Sequence, residues 1–493
     1  MLISHEPSKI KMAAASLVLS RRLSLSARSS RAWGRAREAA VPLTDPIDAG
    51  APPNVTRQPS EELKISKLSN GVTVASLENH SPLSNISVYV RAGSRFEKYN
   101  QLGVTHLLRE HAFLSTDKRT TFLTARECDA MGLTLNATTT RENMIYSSQF
   151  FRGDNTESQA LDVLGSAMIC PRFQPWEIKD YINKTRLSLA IAAAQPYTVV
   201  MEALHQAAFR NTLSNSIYCP PHNVATLTNL DLKSYMDEWY SGKRTSIVGV
   251  GVNHDQVVQL AEQWFSELPE GIGASEEQCE YIGGAEVRMS TPSYLTHTAI
   301  VSKGASLKGT HGDLIAAGVL QNLLGAAPQG NVVWGANTGS RLFKAGSVAV
   351  ESPFTVSSLN LCYTDSGLFG IYLVCDGDDT GKLLPAIMKD FSDVARGSVS
   401  DEELTRAKNQ LKASYLMSTE TQSGLVEDIA AQVNLKGSYT SLEETMKHVD
   451  SLTKDDIVKF AKTVFSTRPS IVAYGNLSTA PRLDKLVAEL SLK

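Results

Sequence analysis

The chain has 493 residues, a formal net charge of −3, 42% apolar and 20% charged residues. That length allows two or more domains with substantial cores, and the near-neutral balance argues against a nucleic-acid binder. No apolar run reaches the roughly 18–20 residues that cross a bilayer. The richest, Leu314 to Leu324, is broken by Gly318, Gln321 and Asn322, so membrane association is expected only through partners.

From Met12 to Arg37 the chain carries six arginines and no acidic residue, mixed with Ser, Ala and Leu. This is the composition of a mitochondrial transit peptide, and it lacks the unbroken apolar region of a secretory signal. Residues 1–40 are read as that leader, with Met12 a second candidate start. Residues 41–60 hold five prolines and read as an extended arm. The six cysteines (Cys128, Cys170, Cys219, Cys279, Cys362 and Cys375) form no C-x-x-C pair and suggest reduced thiols.

Strands and helices follow. Leu63–Leu68 and Val72–Leu77 flank Asn70-Gly71, a two-residue hairpin signal. Ile86–Val90 alternates as a strand. Helices are predicted over Leu102–Leu114, Ala160–Met168, Pro175 to about Ala194, Asp255–Phe265, Gly312–Leu324, Lys382–Val394 and Asp401–Met417. Trp239, Tyr240, Trp264 and Phe265 are expected to be core residues. Gly325-Ala326-Ala327-Pro328-Gln329-Gly330 lacks the G-x-x-x-x-G-K-[ST] of a phosphate loop.

The chain also repeats itself. Leu135-Asn136 and Leu359-Asn360 are 224 residues apart, and each opens a strand–turn–strand. Arg244 to Val248 and Arg468 to Val472 share that spacing, each preceded by a helix opening with Leu-Thr. Two halves of one ancestral fold are expected, over residues 61–268 and 285–493, with 269–284 as a linker. Hairpins alternating with blocks of helices argue α+β: two homologous halves, each a mixed, mainly antiparallel sheet with helices on one side.

One motif carries chemistry. His106-Leu107-Leu108-Arg109-Glu110-His111 is a damaged inverted-zincin signature, H-x-x-x-E-H in place of H-x-x-E-H. At about 100° per residue, histidines five apart stand about 140° around a helix and cannot grip one ion from one face. Arg109 cannot serve as base or ligand. His106 and Glu110 share a face, but a catalytic zinc site needs three protein ligands and an open position. They read as an i,i+4 pair, and His111 as a surface or packing histidine.

The segments KLSNGVTVASLENHSP, RAGSRFE, LGVTHLLR, TRENMIYS, MEALHQAAFRN and YTDSGLFGIY resemble the mitochondrial processing peptidase-like family of inverted-zincin proteases across both halves. In register with that family, His106 matches the first histidine, Arg109 the catalytic glutamate and Glu110 the second histidine. The distal glutamate is expected in the helix before Met201, where Leu187 to Ala194 offers no carboxylate. Within the family, the chain is most similar to the core-subunit branch of the ubiquinol–cytochrome c reductase complex.

That resemblance implies no enzymatic activity, no catalytic, metal or cofactor-binding residues, and no cofactor. It implies a peripheral place on the matrix side of the mitochondrial inner membrane. The implied partners are a core protein 1 homologue, cytochrome b, cytochrome c1, the iron–sulfur subunit and small subunits, with no nucleic acid. The alternative is the non-catalytic presequence-recognition subunit of a processing peptidase. The short, glycine-poor loop at Gly325 counts against it. An active protease with a rearranged site is the third and weakest reading.

Overall fold

A computed structural model describes residues 61–153, 155–271, 276–326 and 339–490. The leader, the arm and most of the loop after Gly325 lie outside the described residues.

The first half builds strands β1 (Lys64–Lys67), β2 (Thr73–Leu77), β3 (Leu83–Val90), β4 (Thr134–Thr139), β5 (Met144–Phe151) and β6 (Thr245–Val250), ordered β1-β2-β6-β3-β5-β4. The second builds β7 (Glu286–Ser290), β8 (Leu295–Lys303), β9 (Thr355–Cys362), β10 (Gly367–Asp376) and β11 (Ser470–Gly475), ordered β7-β11-β8-β10-β9. With β1 set aside the two orders are the same. In each, one pair is parallel (β2 with β6, β7 with β11) and the others are antiparallel. The α+β architecture with two homologous halves is therefore realised strand for strand.

The first half's helices are α1 (Val104–Glu110), α2 (Thr121–Met131), α3 (Thr156–Ile169), α4 (Pro175–Ala194), α5 (Pro196–Ala208), α6 (Asn229–Trp239) and α7 (His254–Phe265). The second half's are α8 (His311–Leu324), α9 (Arg341–Ala349), α10 (Thr380–Ala395), α11 (Asp401–Glu420), α12 (Gln422–Lys436), α13 (Leu442–Ser451), α14 (Lys454–Ser466) and α15 (Leu483–Leu490). Both α6 and α14 open with a capping box, Thr228 with Asp231 and Thr453 with Asp456. The duplicated Leu-Thr signal is thus a duplicated helix start.

Strand periodicity sends alternate residues to opposite faces of each sheet. On the first sheet Val74, Val88 and Ile247 face one core, with helices of the same half. Ala75, Tyr89, Val248 and Val250 face the other way, against Val426, Ile429, Ala430 and Val433 of α12. The second sheet mirrors this. Ile300 and Ile371 face its own helices. Ala299, Val301, Tyr372 and Val472 face Val200, Leu204 and Ala208 of α5. So each half keeps its other helices on one side, and each lends one helix to the second face of the other half's sheet. Spacings of three and four residues along both lent helices make the apolar stripe.

Two local expectations differ from what is found. Leu68 and Val72 are bonded to each other (2.8 Å), so the first hairpin turns through three residues, and only Gly71 has positive φ (90°). Asn70 instead donates its side-chain amide to the Phe265 carbonyl, 2.8 Å away. The motif helix α1 is shorter than predicted: it ends at Glu110, with His111 as its C-cap. Trp239, Tyr240 and Phe265 are buried core residues; Trp264 is partly buried, and Lys118 sits 4.4 Å over its ring.

Candidate functional site: a relic motif and a charged seam

The helix α1 follows Gly103, at φ 93°, where a Cβ would come within 2.4 Å of the Cys219 Sγ. Glu97 receives its first free amides: the N–H of Gly103 (2.7 Å) and of Thr105 (2.8 Å), and the Thr105 hydroxyl (2.6 Å). Burial outweighs those three donors and pushes the Glu97 carboxyl up to about 7.

His106 is fully buried, and neither ring nitrogen has a hydrogen-bond partner. Its ring lies edge-on to Tyr218, with centroids 5.8 Å apart. Burial, then the charge of Arg109, pushes it down to about 4. Its Nε2 is 4.0 Å from Glu110, the expected i,i+4 neighbour. His111 points elsewhere. It is buried against Tyr181, and its Nδ1 donates to the Leu107 carbonyl at 2.6 Å. It is therefore a packing histidine, and no longer a surface candidate.

Two cations surround Glu110. Arg109 is 2.9 Å away, and Lys184 of α4 is 3.6 Å away. Burial pulls the Glu110 carboxyl upward, but the Arg109 bond and charge, with His106 and Lys184, hold it below its ordinary value. The sequence placed the missing distal carboxylate near Leu187 to Ala194. The α4 side chains that reach this region come earlier: Glu177, Tyr181 and Lys184. Glu177 accepts from the hydroxyls of Ser115 (2.5 Å) and Thr121 (3.0 Å). Lys184 thus places a second cation beside Glu110, where it would repel a metal ion. Among the described residues, no group of three or more His, Cys, Asp or Glu could hold a metal ion. The arrangement supplies fixed positive charge to one carboxylate.

A second cluster escaped the sequence reading. Arg95 is buried and reaches Glu142 at the β4–β5 tip (2.8 Å) and Asp365 at the β9–β10 tip (2.8 Å). The Thr364 N–H donates to Glu142 at 3.0 Å, and the Cys279 N–H to Asp365 at 2.8 Å. Arg141 pairs with Glu202 at 2.7 Å. His205 donates from Nδ1 to the Met201 carbonyl (2.7 Å), which leaves Nε2 to accept from the Tyr363 hydroxyl (2.6 Å). Burial, then the Arg141 charge, pushes His205 down to about 3. Glu276 pairs with Arg91 (2.8 Å) and Arg244 (3.2 Å). The Arg95–Asp365, Thr364–Glu142 and His205–Tyr363 contacts join the two halves, Arg141–Glu202 lies within the first, and Glu276 ties the linker to it. The signal lay in segments already singled out: RAGSRFE holds Arg95, TRENMIYS holds Arg141 and Glu142, MEALHQAAFRN holds Glu202 and His205, and YTDSGLFGIY holds Tyr363 and Asp365.

A two-sheet α+β body with a broken inverted-zincin motif defines a class, and comparison with known proteins gives the same one. Residues 73–221 match the family model "Insulinase (Peptidase family M16)", and residues 226–411 match "Peptidase M16 inactive domain". The chain belongs to the M16 peptidase family. It is 37% identical over 438 residues to cytochrome b-c1 complex subunit 2, mitochondrial, of Homo sapiens, covering 89% of this chain and 94% of that protein. The Rattus norvegicus protein of the same name is 36% identical over 457 residues, covering 93% and 99%. The mitochondrial-processing peptidase subunit beta of Saccharomyces cerevisiae is 31% identical over 441 residues, covering 87% and 94%. The kinship is stronger to the complex subunit than to the peptidase, and the chain is a mitochondrial protein.

Proposed function

We propose that this chain is a non-catalytic core subunit of the mitochondrial ubiquinol–cytochrome c reductase, complex III, where it serves as a matrix-side scaffold for assembly. Its near full-length kinship to cytochrome b-c1 complex subunit 2 carries the reading. The lost motif supports it: Arg109 and Lys184 neutralise Glu110 from within the protein. Its partners are a core protein 1 homologue, cytochrome b, cytochrome c1, the iron–sulfur subunit and small subunits, and it meets the membrane only through them. It has no catalytic, metal or cofactor-binding residues of its own. Residues 1–40 are a removable leader and 41–60 an arm; residues 61–268 and 285–493 are the two homologous domains, joined by 269–284.

Gentle detergent extraction of mitochondria, native separation and mass spectrometry test this. Comigration with cytochrome b, cytochrome c1 and the iron–sulfur subunit is expected. Migration as a soluble pair with a chain carrying an intact H-x-x-E-H would overturn it in favour of the processing peptidase.

A further inference from the structure

The duplication places one arginine twice, in different surroundings. In the first half Arg244 is buried between rings, 4.5 Å over Phe96 and 4.8 Å over Trp239, and it pairs with Glu276. Its counterpart 224 residues on is Arg468. Counting from the two capping boxes, the counterpart of Trp239 is Val464. Where the first half packs an indole, the second half has a smaller side chain and a cavity of about 600 Å³.

The cavity lies between the second sheet and helices α10, α14 and α15. Its walls are mainly hydrocarbon and aromatic, among them Ile300, Phe369, Met388, Phe391, Val464 and Leu483. Its volume is within the range of pockets that enclose small ligands, and a few polar groups beside mainly apolar walls are the usual layout of such sites. Val487 of α15 also lines it, yet remains substantially exposed. Arg468 is an exposed cation on the same lining, and it forms no ion pair among the described residues. Asp484 lines it too, at the first turn of α15, where a carboxylate suits the helix dipole. It would repel an anionic head and favour an orientation toward Arg468.

We infer that this cavity binds a long-chain fatty acid, with the hydrocarbon tail among Phe369, Phe391 and Val464 and the carboxylate at Arg468. Each methylene withdrawn from water contributes about 0.8 kcal/mol, so the tail supplies affinity and the arginine sets the polarity of the head.

The test uses the full chain in its native assembly. It is titrated with cis-parinaric acid, a fatty acid that fluoresces in apolar sites, and the probe is then displaced by palmitate or by uncharged hexadecanol. One saturable site per chain is expected. Val464→Trp, which restores the first half's residue, should abolish it. Arg468→Glu, at an exposed position that does not endanger folding, should weaken palmitate about tenfold and leave hexadecanol unchanged. The proposal fails if no saturable site appears, if a folded Val464→Trp protein binds as well as wild type, or if Arg468→Glu leaves palmitate unaffected.

Discussion

At the scale of single residues, three histidines are held neutral by burial. His106 and His297 are pushed down to about 4, and His205 to about 3. The unfolded chain binds protons at these positions near 6.5, before the folded chain does. Their stabilisation is therefore complete above pH 6.5 and is lost as pH falls toward 4. At pH 5 each contributes a loss of up to about 2 kcal/mol. Glu97 has the opposite sign: its carboxyl is raised to about 7, so its contribution is present below its ordinary 4.5 and lost as pH rises through 7. Glu97 offsets part of the loss at the three histidines, so urea midpoints should still fall between pH 7 and pH 5, and His205→Gln should flatten that fall. An unchanged slope would mean that His205 is not neutral in the fold.

The same scale explains why repairing the motif should fail. Glu110→His sets two histidines four apart, but Lys184 still points at that position. Purified Glu110→His protein, dialysed against zinc, should contain no stoichiometric metal. The chemistry of Arg109 was legible from sequence, because an arginine cannot be a base in any fold. Lys184 was not, because which face of a 20-residue helix meets α1 is a matter of packing.

At the scale of elements, the first hairpin, the duplicated Leu-Thr helix starts and the mainly antiparallel sheets followed from local pattern. The exchange of α5 and α12 did not. An apolar stripe requires a partner, but it does not say which sheet provides it. The hairpin at Asn70-Gly71 forms as expected, but its turn differs for a related reason: Asn70 donates to the Phe265 carbonyl, a tertiary contact. Leu204 belongs to the first half and is buried among residues of the second sheet. Leu204→Ala should cost about 2–5 kcal/mol. Hydrogen exchange should place the loosening in β8, β10 and β11, and loosening confined to β3 and β6 would contradict the exchange of helices.

At the scale of the molecule, the two halves meet through buried charge. Removing one partner of such a network leaves the others unpaired, at about 3–5 kcal/mol. Arg95→Ala strands Glu142 and Asp365 together. We expect it to lower the thermal midpoint and to open the segment around Glu276 to limited proteolysis. Because Arg95 is buried, moderate salt on the wild-type protein should not reproduce the effect. The sequence showed two copies of one fold and no sign of what welds them, since Arg95 and Asp365 are 270 residues apart.

The exchanged helices also set a timetable for folding. A ribosome or a translocation pore delivers the chain from its N-terminus. The outer face of the first sheet stays uncovered until Val426 to Val433 have emerged. No early resting state is available to a chain released before then: Ala75, Tyr89, Val248 and Val250 would face water, an adhesive surface of the kind that chaperones guard. Maturation of this protein is therefore an event of its last third, and a truncated chain ending near residue 268 should be recovered as aggregate.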